Sequence, residues 1–324
     1  MPSGASGRQR WTVERIIRSL ISAPAKMSGN KPKGKSLNRL RCAPIGVLKD
    51  LGYAVFGLAV VLTLVVIEAQ AGDLLPHRAL YRMSLATTSS TSDITDARGA
   101  MLYSFTDVCD AWASETNVYL RLEYEGGGER ETTWSFASWE AKNGKSYHFR
   151  IRHNRDGRTL EVLQGKVALP SPGSAGIAQF TSPEETEIEL PSGTLFPTRH
   201  LLALLNETNQ NGRLLRTVFD GASLENPYEI SAIIGSKSGD QGSGENGDLV
   251  ARTKTILAAG LERTPTRHIR MAFFPHQSHN ALPEFELSVD YRGDGVAEHI
   301  RQDFGKFTLD LVPDNIEVLD RNPC

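Results

Sequence analysis

The stretch Thr132-Thr133-Trp134-Ser135-Phe136-Ala137-Ser138-Trp139-Glu140-Ala141-Lys142-Asn143-Gly144-Lys145-Ser146-Tyr147-His148-Phe149-Arg150-Ile151-Arg152 decides the fold class of this chain. Its first half carries Trp134, Phe136 and Trp139, the large side chains that suit a pleated surface. Asn143-Gly144 then supplies the positive backbone angles of a tight hairpin turn, and residues 147–152 answer as a second strand. Asp156-Gly157 makes the next turn, into residues 159–163.

The same pattern continues in both directions. His77-Arg78-Ala79-Leu80-Tyr81-Arg82-Met83-Ser84-Leu85 puts Ala79, Tyr81, Met83 and Leu85 on one face, a period of two. Residues 118–124 repeat it and stop at Gly126-Gly127-Gly128. Later runs over 214–219, 228–234, 266–274, 284–291, 296–304, 307–312 and 316–319 are strand-like. One segment breaks the period: Phe196-Pro197-Thr198-Arg199-His200-Leu201-Leu202-Ala203-Leu204-Leu205-Asn206 has helical spacing, with Thr194 or Thr198 as cap and Asn211-Gly212 as the stop. Residues 236–248 are Gly-, Ser- and Asp-rich without an apolar anchor and read as a loop. The expected fold is mainly β: about a dozen strands in one large antiparallel sheet, curled like an open barrel to hide its edges, with one amphipathic helix.

Charge divides the chain in two. Residues 1–50 hold eleven Lys and Arg against two Asp and Glu, which leaves the remainder at −11 within a formal net charge of −2. So acidic a body has no electrostatic attraction for a phosphate backbone, which argues against nucleic-acid binding. The basic head precedes an uncharged run over 51–67 and then Ala69-Gln70-Ala71, a small-x-small motif of the kind signal peptidase cleaves. Residues 1–71 are therefore expected to be a basic leader and signal peptide, with Met27 as an alternative start, and residues 72–324 the periplasmic domain. An uncleaved inner-membrane anchor is the rival reading, because seventeen apolar residues just reach a spanning length. The charge asymmetry places the body outside the cytoplasm in both cases.

Export gives the cysteines a meaning. Cys42 lies in the leader, and Cys109 and Cys324 remain as an even pair in an oxidising compartment. A Cys109–Cys324 disulfide would pin the last residue and close a loop for which chain entropy gives roughly 5 kcal/mol. Two free thiols are the alternative.

Residues with catalytic or ligating chemistry are present without a recognisable constellation. His276 and His279 form an H-x-x-H beside Pro275, but Pro275 and Pro283 oppose the helix a metal pair would need. His148 and His153 stand among Arg150, Arg152 and Arg155, a basic strand face or an anion patch. His200, at the start of the helix, fits packing or capping better than catalysis. Asp290 and Asp294 bracket a turn, and Glu184-Glu185 lie in a Pro-flanked loop. No nucleophile elbow, serine-hydrolase order or phosphate-binding loop occurs, so no catalytic, cofactor or metal residue is assigned. Trp112, Trp134, Phe136 and Trp139 cluster near Cys109. They read as core packing, or as an aromatic groove for a peptide or acyl chain.

Four features together resemble the cell envelope integrity protein EipB family of alphaproteobacteria, formerly a domain of unknown function. They are Leu74-Leu75-Pro76-His77-Arg78-Ala79-Leu80-Tyr81-Arg82-Met83-Ser84-Leu85, Asp107-Val108-Cys109-Asp110-Ala111-Trp112, Phe196-Pro197-Thr198-Arg199-His200-Leu201-Leu202-Ala203-Leu204, and the terminal Cys324. The resemblance covers nearly all of residues 74–324; the long leader before Met27 and the polar stretch over 236–248 depart from it. It implies a periplasmic β-spiral with a helix set against it, a structural Cys109–Cys324 disulfide and a non-enzymatic role in envelope integrity under stress. It further implies a tetratricopeptide-repeat partner protein. A lipid or lipoprotein acyl-chain carrier or sensor is the alternative function.

Overall fold

The computed structural model describes residues 74–207, 212–236, 246–276, 282–321 and 324. Its strands are β1 His77–Thr88, β2 Ile94–Asp107, β3 Ala111–Tyr124, β4 Glu129–Ala141, β5 Ser146–Arg155, β6 Arg158–Ala168 and β7 Gly176–Ser182. They continue as β8 Thr186–Leu190, β9 Gly212–Val218, β10 Tyr228–Ser236, β11 Arg267–Pro275, β12 Phe285–Tyr291, β13 Ala297–Asp303 and β14 Phe307–Val318. Two helices join them, α1 Pro197–Asn206 and α2 Asn246–Ala258.

All fourteen strands belong to one antiparallel sheet, in the order β8-β7-β6-β5-β4-β3-β2-β1-β14-β13-β12-β11-β10-β9. It is two hairpin meanders joined along one seam, where β1 pairs with β14 from His77↔Val318 to Thr88↔Phe307. Turn residues set the hairpins. Gly144 (φ 70°) and Gly157 (φ 76°) take left-handed backbone where the Asn-Gly and Asp-Gly turns were expected. The sheet curls without closing. Leu195, just beyond β8, makes a single parallel bridge to Val218 of β9, through Leu195 N–H to Thr217 C=O and Phe219 N–H to Leu195 C=O, both 2.9 Å.

Period two sorts the side chains. Rows such as Phe136↔Ile151↔Leu163 and Ala79↔Tyr103 point to the inner face, and rows such as Ala137↔Arg150↔Gln164 point away from it. The inner face holds three apolar clusters. The largest gathers Tyr81, Met83, Ile230, Ile269, Val289 and Leu311 beneath β9–β14, β1 and β2. The second gathers Tyr147, Phe149, Ile151, Leu163, Phe180 and Phe219 beneath β5–β8. The third is Leu74, Phe105 and Leu205. Helix α1 ties them together: Phe196 just before it enters the second, Leu204 the first and Leu205 the third. Each such fully buried side chain contributes about 1.5–3 kcal/mol. The Tyr81 hydroxyl, buried among them, donates to Ala297 C=O at 2.9 Å, so burial leaves it paired.

Several expectations need correction. The helix is not alone: α2 begins at Asn246, within the stretch expected to be a loop, whose first residue Ser236 ends β10 and whose residues 237–245 lie outside the described residues. Strands β2, β7 and β8 add to the runs expected from alternation. The runs over 307–312 and 316–319 are one strand, continued through Pro313 by a register shift opposite Leu80/Tyr81. The leader, its cleavage site, the Met27 start and Cys42 all fall in residues 1–73, outside the described residues. Among the described residues no helix is long and apolar enough to cross a membrane.

Candidate binding site

What positions the inner face is a buried carboxylate. Helix α1 begins at Pro197 after Phe196, whose side chain cannot cap it, and neither Thr194 nor Thr198 serves as its N-cap. Thr194 instead donates to Pro191 C=O at 2.7 Å. Glu140, at the end of β4, reaches across: its Oε2 accepts from Thr198 N–H at 2.7 Å and its Oε1 from Arg199 N–H at 2.9 Å. Pro197 has no N–H to satisfy, and the two donors that follow it in the first turn are thereby satisfied from a distant strand. Arg199 completes the clamp by donating to Lys142 C=O at 2.5 Å. Burial pushes the Glu140 carboxyl above its usual range, against the pull of the Thr198 and Arg199 groups.

The structure separates the aromatic quartet. Trp112, Trp134 and Phe136 share the inner face, where Trp112 pairs with Glu140 and Trp134 with Val118. Trp139 is one residue out of phase and lies on the other side of the sheet, against His148 with ring centroids 5.2 Å apart. Trp134 and Phe136 stand 5.6 Å apart and are only half-buried, packed on the second cluster. Val118, Leu120 and Leu122 beside them are also half-buried and pack on the first. A partly open apolar strip therefore runs along β3 and β4 where the two cores meet.

The sheet edge is the second exposed feature. The Thr217 carbonyl of β9 and the Phe219 N–H just beyond it point outward to Leu195. Alternation along the strand then turns the backbone groups of Arg213 and Leu215 outward too, beyond the reach of Leu195. The Leu215 carbonyl accepts from the Arg216 guanidinium at 2.9 Å, and the Leu215 side chain is 60% exposed. An exposed apolar side chain with Arg213 on its face of the strand, at an edge that no described strand pairs with beyond Leu195, is a template for an added strand.

Cys109 and Cys324 are bonded, with Cα atoms 5.8 Å apart. Cys109 occupies the turn between β2 and β3 with φ 70°, a conformation rare outside glycine. Asp107 stabilises that turn: its Oδ1 accepts from Cys109 N–H at 3.1 Å and from Lys142 Nζ at 2.6 Å. The Lys142 ammonium in turn lies 5.8 Å from the Trp112 ring centroid. The motif around Cys109 is thus a presentation device for the disulfide.

The histidines that the sequence singles out do not converge, whereas His268 and His299 both face Asp290. Among the described residues no three His, Cys, Asp or Glu side chains could hold a metal ion together. His276 meets Glu229 at 2.8 Å, and His279 is outside the described residues. His153 lies beside Trp134 on the inner face, whereas His148 shares the opposite face with Arg150 and Arg152. Asp294 accepts from Val296 N–H and from Arg292, as a turn acid should. Asp290 does not belong to a turn: it is buried in β12 against His268 at 2.8 Å and Arg252 of α2 at 3.5 Å. The Glu140 clamp, the Asp107–Lys142 pair and the contacts of Asp290 with His268 and Arg252 carried no local signal, since these partners lie 22 or more residues away.

His200 is buried on α1 and its Nε2 has no hydrogen-bond partner among the described residues. Burial, helped by Arg216, lowers its pKa from 6.5 to about 4. The unfolded chain therefore takes up this proton at higher pH than the folded one, so protons favour unfolding between those values. Stability is expected to fall as pH drops from 6.5 towards about 4, by up to ~3 kcal/mol from this residue. Urea unfolding of His200→Leu should lose that part of the slope relative to the unsubstituted chain; parallel profiles would show that His200 does not set it.

Comparison with known proteins agrees with the architecture. The chain is 20% identical over 244 residues to the cell envelope integrity protein EipB of Brucella abortus (strain 2308), covering 74% of this chain and 83% of that one. Its structure is similar to the crystal structure of a beta-barrel-like protein of a domain of unknown function from Brucella abortus. That match has a TM-score of 0.66 at 20% identity and spans 77% of this chain and 100% of the other. The EipB-like family model matches residues 68–320, most of the chain, and the protein belongs to the EipB-like family.

Proposed function

We propose that this chain maintains cell envelope integrity from the periplasm as a non-catalytic binding protein, docking an envelope partner protein along the open edge of β9. The name of its Brucella relative supports the envelope role. Among the described residues no strand pairs with the outer side of β9 around Arg213–Leu215, and Leu215 is 60% exposed; this is the observation that carries the docking mode. Main-chain pairing supplies affinity there, and the side chains of Leu215 and Arg213 select the strand. A tetratricopeptide-repeat protein is the partner class that the family resemblance implies.

The half-buried strip of Val118, Leu120, Trp134 and Phe136 favours a second reading, a carrier or sensor for acyl chains. One experiment separates the two. A photo-crosslinking residue at Leu215 or at Trp134 is introduced into the full chain and irradiated in intact cells. The docking reading expects a discrete protein adduct from position 215. A lipid-mass adduct from position 134, with none from 215, would replace it with the carrier reading. Silence at both positions in folded, exported protein would overturn both.

A further inference from the structure

The face of β4–β6 turned away from the core holds a depression of about 480 Å3 that the docking edge and the inner strip do not use. It is lined by Trp139, His148, Arg150, Gln164, Lys166 and Thr181. Sheet register explains why these side chains meet. Trp139↔His148↔Lys166 form one cross-strand row and Ala137↔Arg150↔Gln164 the next. Arg152, in the row beyond, continues the positive charge.

These cations differ from most others on the sheet. Arg78, Arg82, Arg98, Arg121, Arg270 and Arg301 each stand within 4.0 Å of a carboxylate. Arg150, Arg152 and Lys166 have no such partner among the described residues, and all three are exposed. Three unpaired cations side by side repel one another, which an anion would relieve.

The charge is also bounded. Glu115 ends one side of the Arg150 row, and Glu187, held by Gln179 at 3.2 Å, ends the Lys166 row. A flat anionic membrane would meet those carboxylates as well as the cations, whereas a compact anion would meet the cations alone. The wall adds a second requirement. Trp139 offers an apolar ring beside Ala137, and Gln164 and Thr181 offer hydrogen bonds to hydroxyls. An aromatic platform, polar side chains and neighbouring cations in a space of this size fit a phosphorylated sugar ring.

The geometry points to a site for a phosphorylated sugar on the outer face of β4–β6, with Trp139 beneath the ring and Arg150 and Lys166 on the phosphate. Arg150 brings paired donors suited to phosphate oxygens, and Lys166 a point charge across the depression.

The test titrates the full chain with N-acetylglucosamine 1-phosphate, inorganic phosphate and N-acetylglucosamine, read by calorimetry and tryptophan fluorescence. The sugar phosphate should bind best, phosphate alone more weakly, and the neutral sugar not measurably. Arg150→Ala and Lys166→Ala, both at exposed positions, should each weaken the sugar phosphate about tenfold. Trp139→Ala should weaken the sugar phosphate and leave inorganic phosphate unchanged; its thermal melt checks that it folds. Equal binding of the neutral sugar, an unaffected Arg150→Ala/Lys166→Ala double variant, or no binding at 10 mM would each overturn the site. Binding to anionic vesicles in place of the soluble sugar phosphate would overturn it in favour of a membrane contact.

Discussion

Replacing Glu140 with Ala should destabilise the folded chain by about 2–4 kcal/mol, although the residue lies on a strand and caps a helix 58 residues away. Two losses combine. The Thr198 and Arg199 N–H groups lose their acceptors at the buried start of α1. A removed cap costs about 0.5–2 kcal/mol, and a buried donor left without a partner about 1–3 kcal/mol. The Arg199 guanidinium also loses its carboxylate neighbour. Glu140→Gln should cost roughly half as much, because its single carbonyl can satisfy one N–H while its amide faces the other. Urea unfolding gives the energies, and amide exchange at Thr198 and Arg199 reports the local cause. Faster exchange confined to those two amides and the first turn is expected. A change under ~1 kcal/mol with unaltered exchange would mean that water replaces the carboxylate, and the clamp would not hold the helix.

That clamp shows where sequence reading runs out. Hairpins are written locally: Asn143-Gly144 and Asp156-Gly157 announced their turns because positive φ demands those residue types. Period-two alternation announces the sheet, helical spacing over 196–206 announces α1, and the even pair of cysteines announces the bridge. Cross-strand parity was also available, since Trp134 and Phe136 are even and Trp139 odd, and this alone puts Trp139 on the other face. The four aromatics are therefore near in sequence but divided by the sheet. The open edge of β9, the seam of β1 and β14 and the cap from Glu140 depend on pairings made at long range, which leave no local pattern. Helix α2 was hidden differently. Its sequence Asn246–Ala258 follows a Gly-rich stretch and buries chiefly Ile256, while Val250 and Leu257 stay exposed, so its apolar stripe is too thin to stand out.

Severing the disulfide should produce the other large effect. Cys109→Ser or Cys324→Ser is expected to lower stability by about 2–5 kcal/mol and the melting temperature by roughly 5–15 °C. The bridge spans 215 residues, so its removal frees almost the whole described chain in the unfolded state. The folded state changes much less. Leu319 N–H still donates to Pro76 C=O, and the β1–β14 ladder still runs to Val318, so what comes loose is the tail beyond it and the turn that presents Cys109. Asp107 should keep that turn formed even with Ser at 109, because it accepts from the backbone N–H of the residue. Both cysteines are exposed and lie outside β9 and the β4–β6 face, so binding at either place should change less than twofold while abundance in the envelope falls. Non-reducing peptide mapping should recover the Cys109 peptide joined to the Cys324 peptide. Alkylation of both thiols without reductant would refute the bridge. A Cys109→Ser variant that melts with the unsubstituted chain would instead show that the β1–β14 seam alone sets the stability.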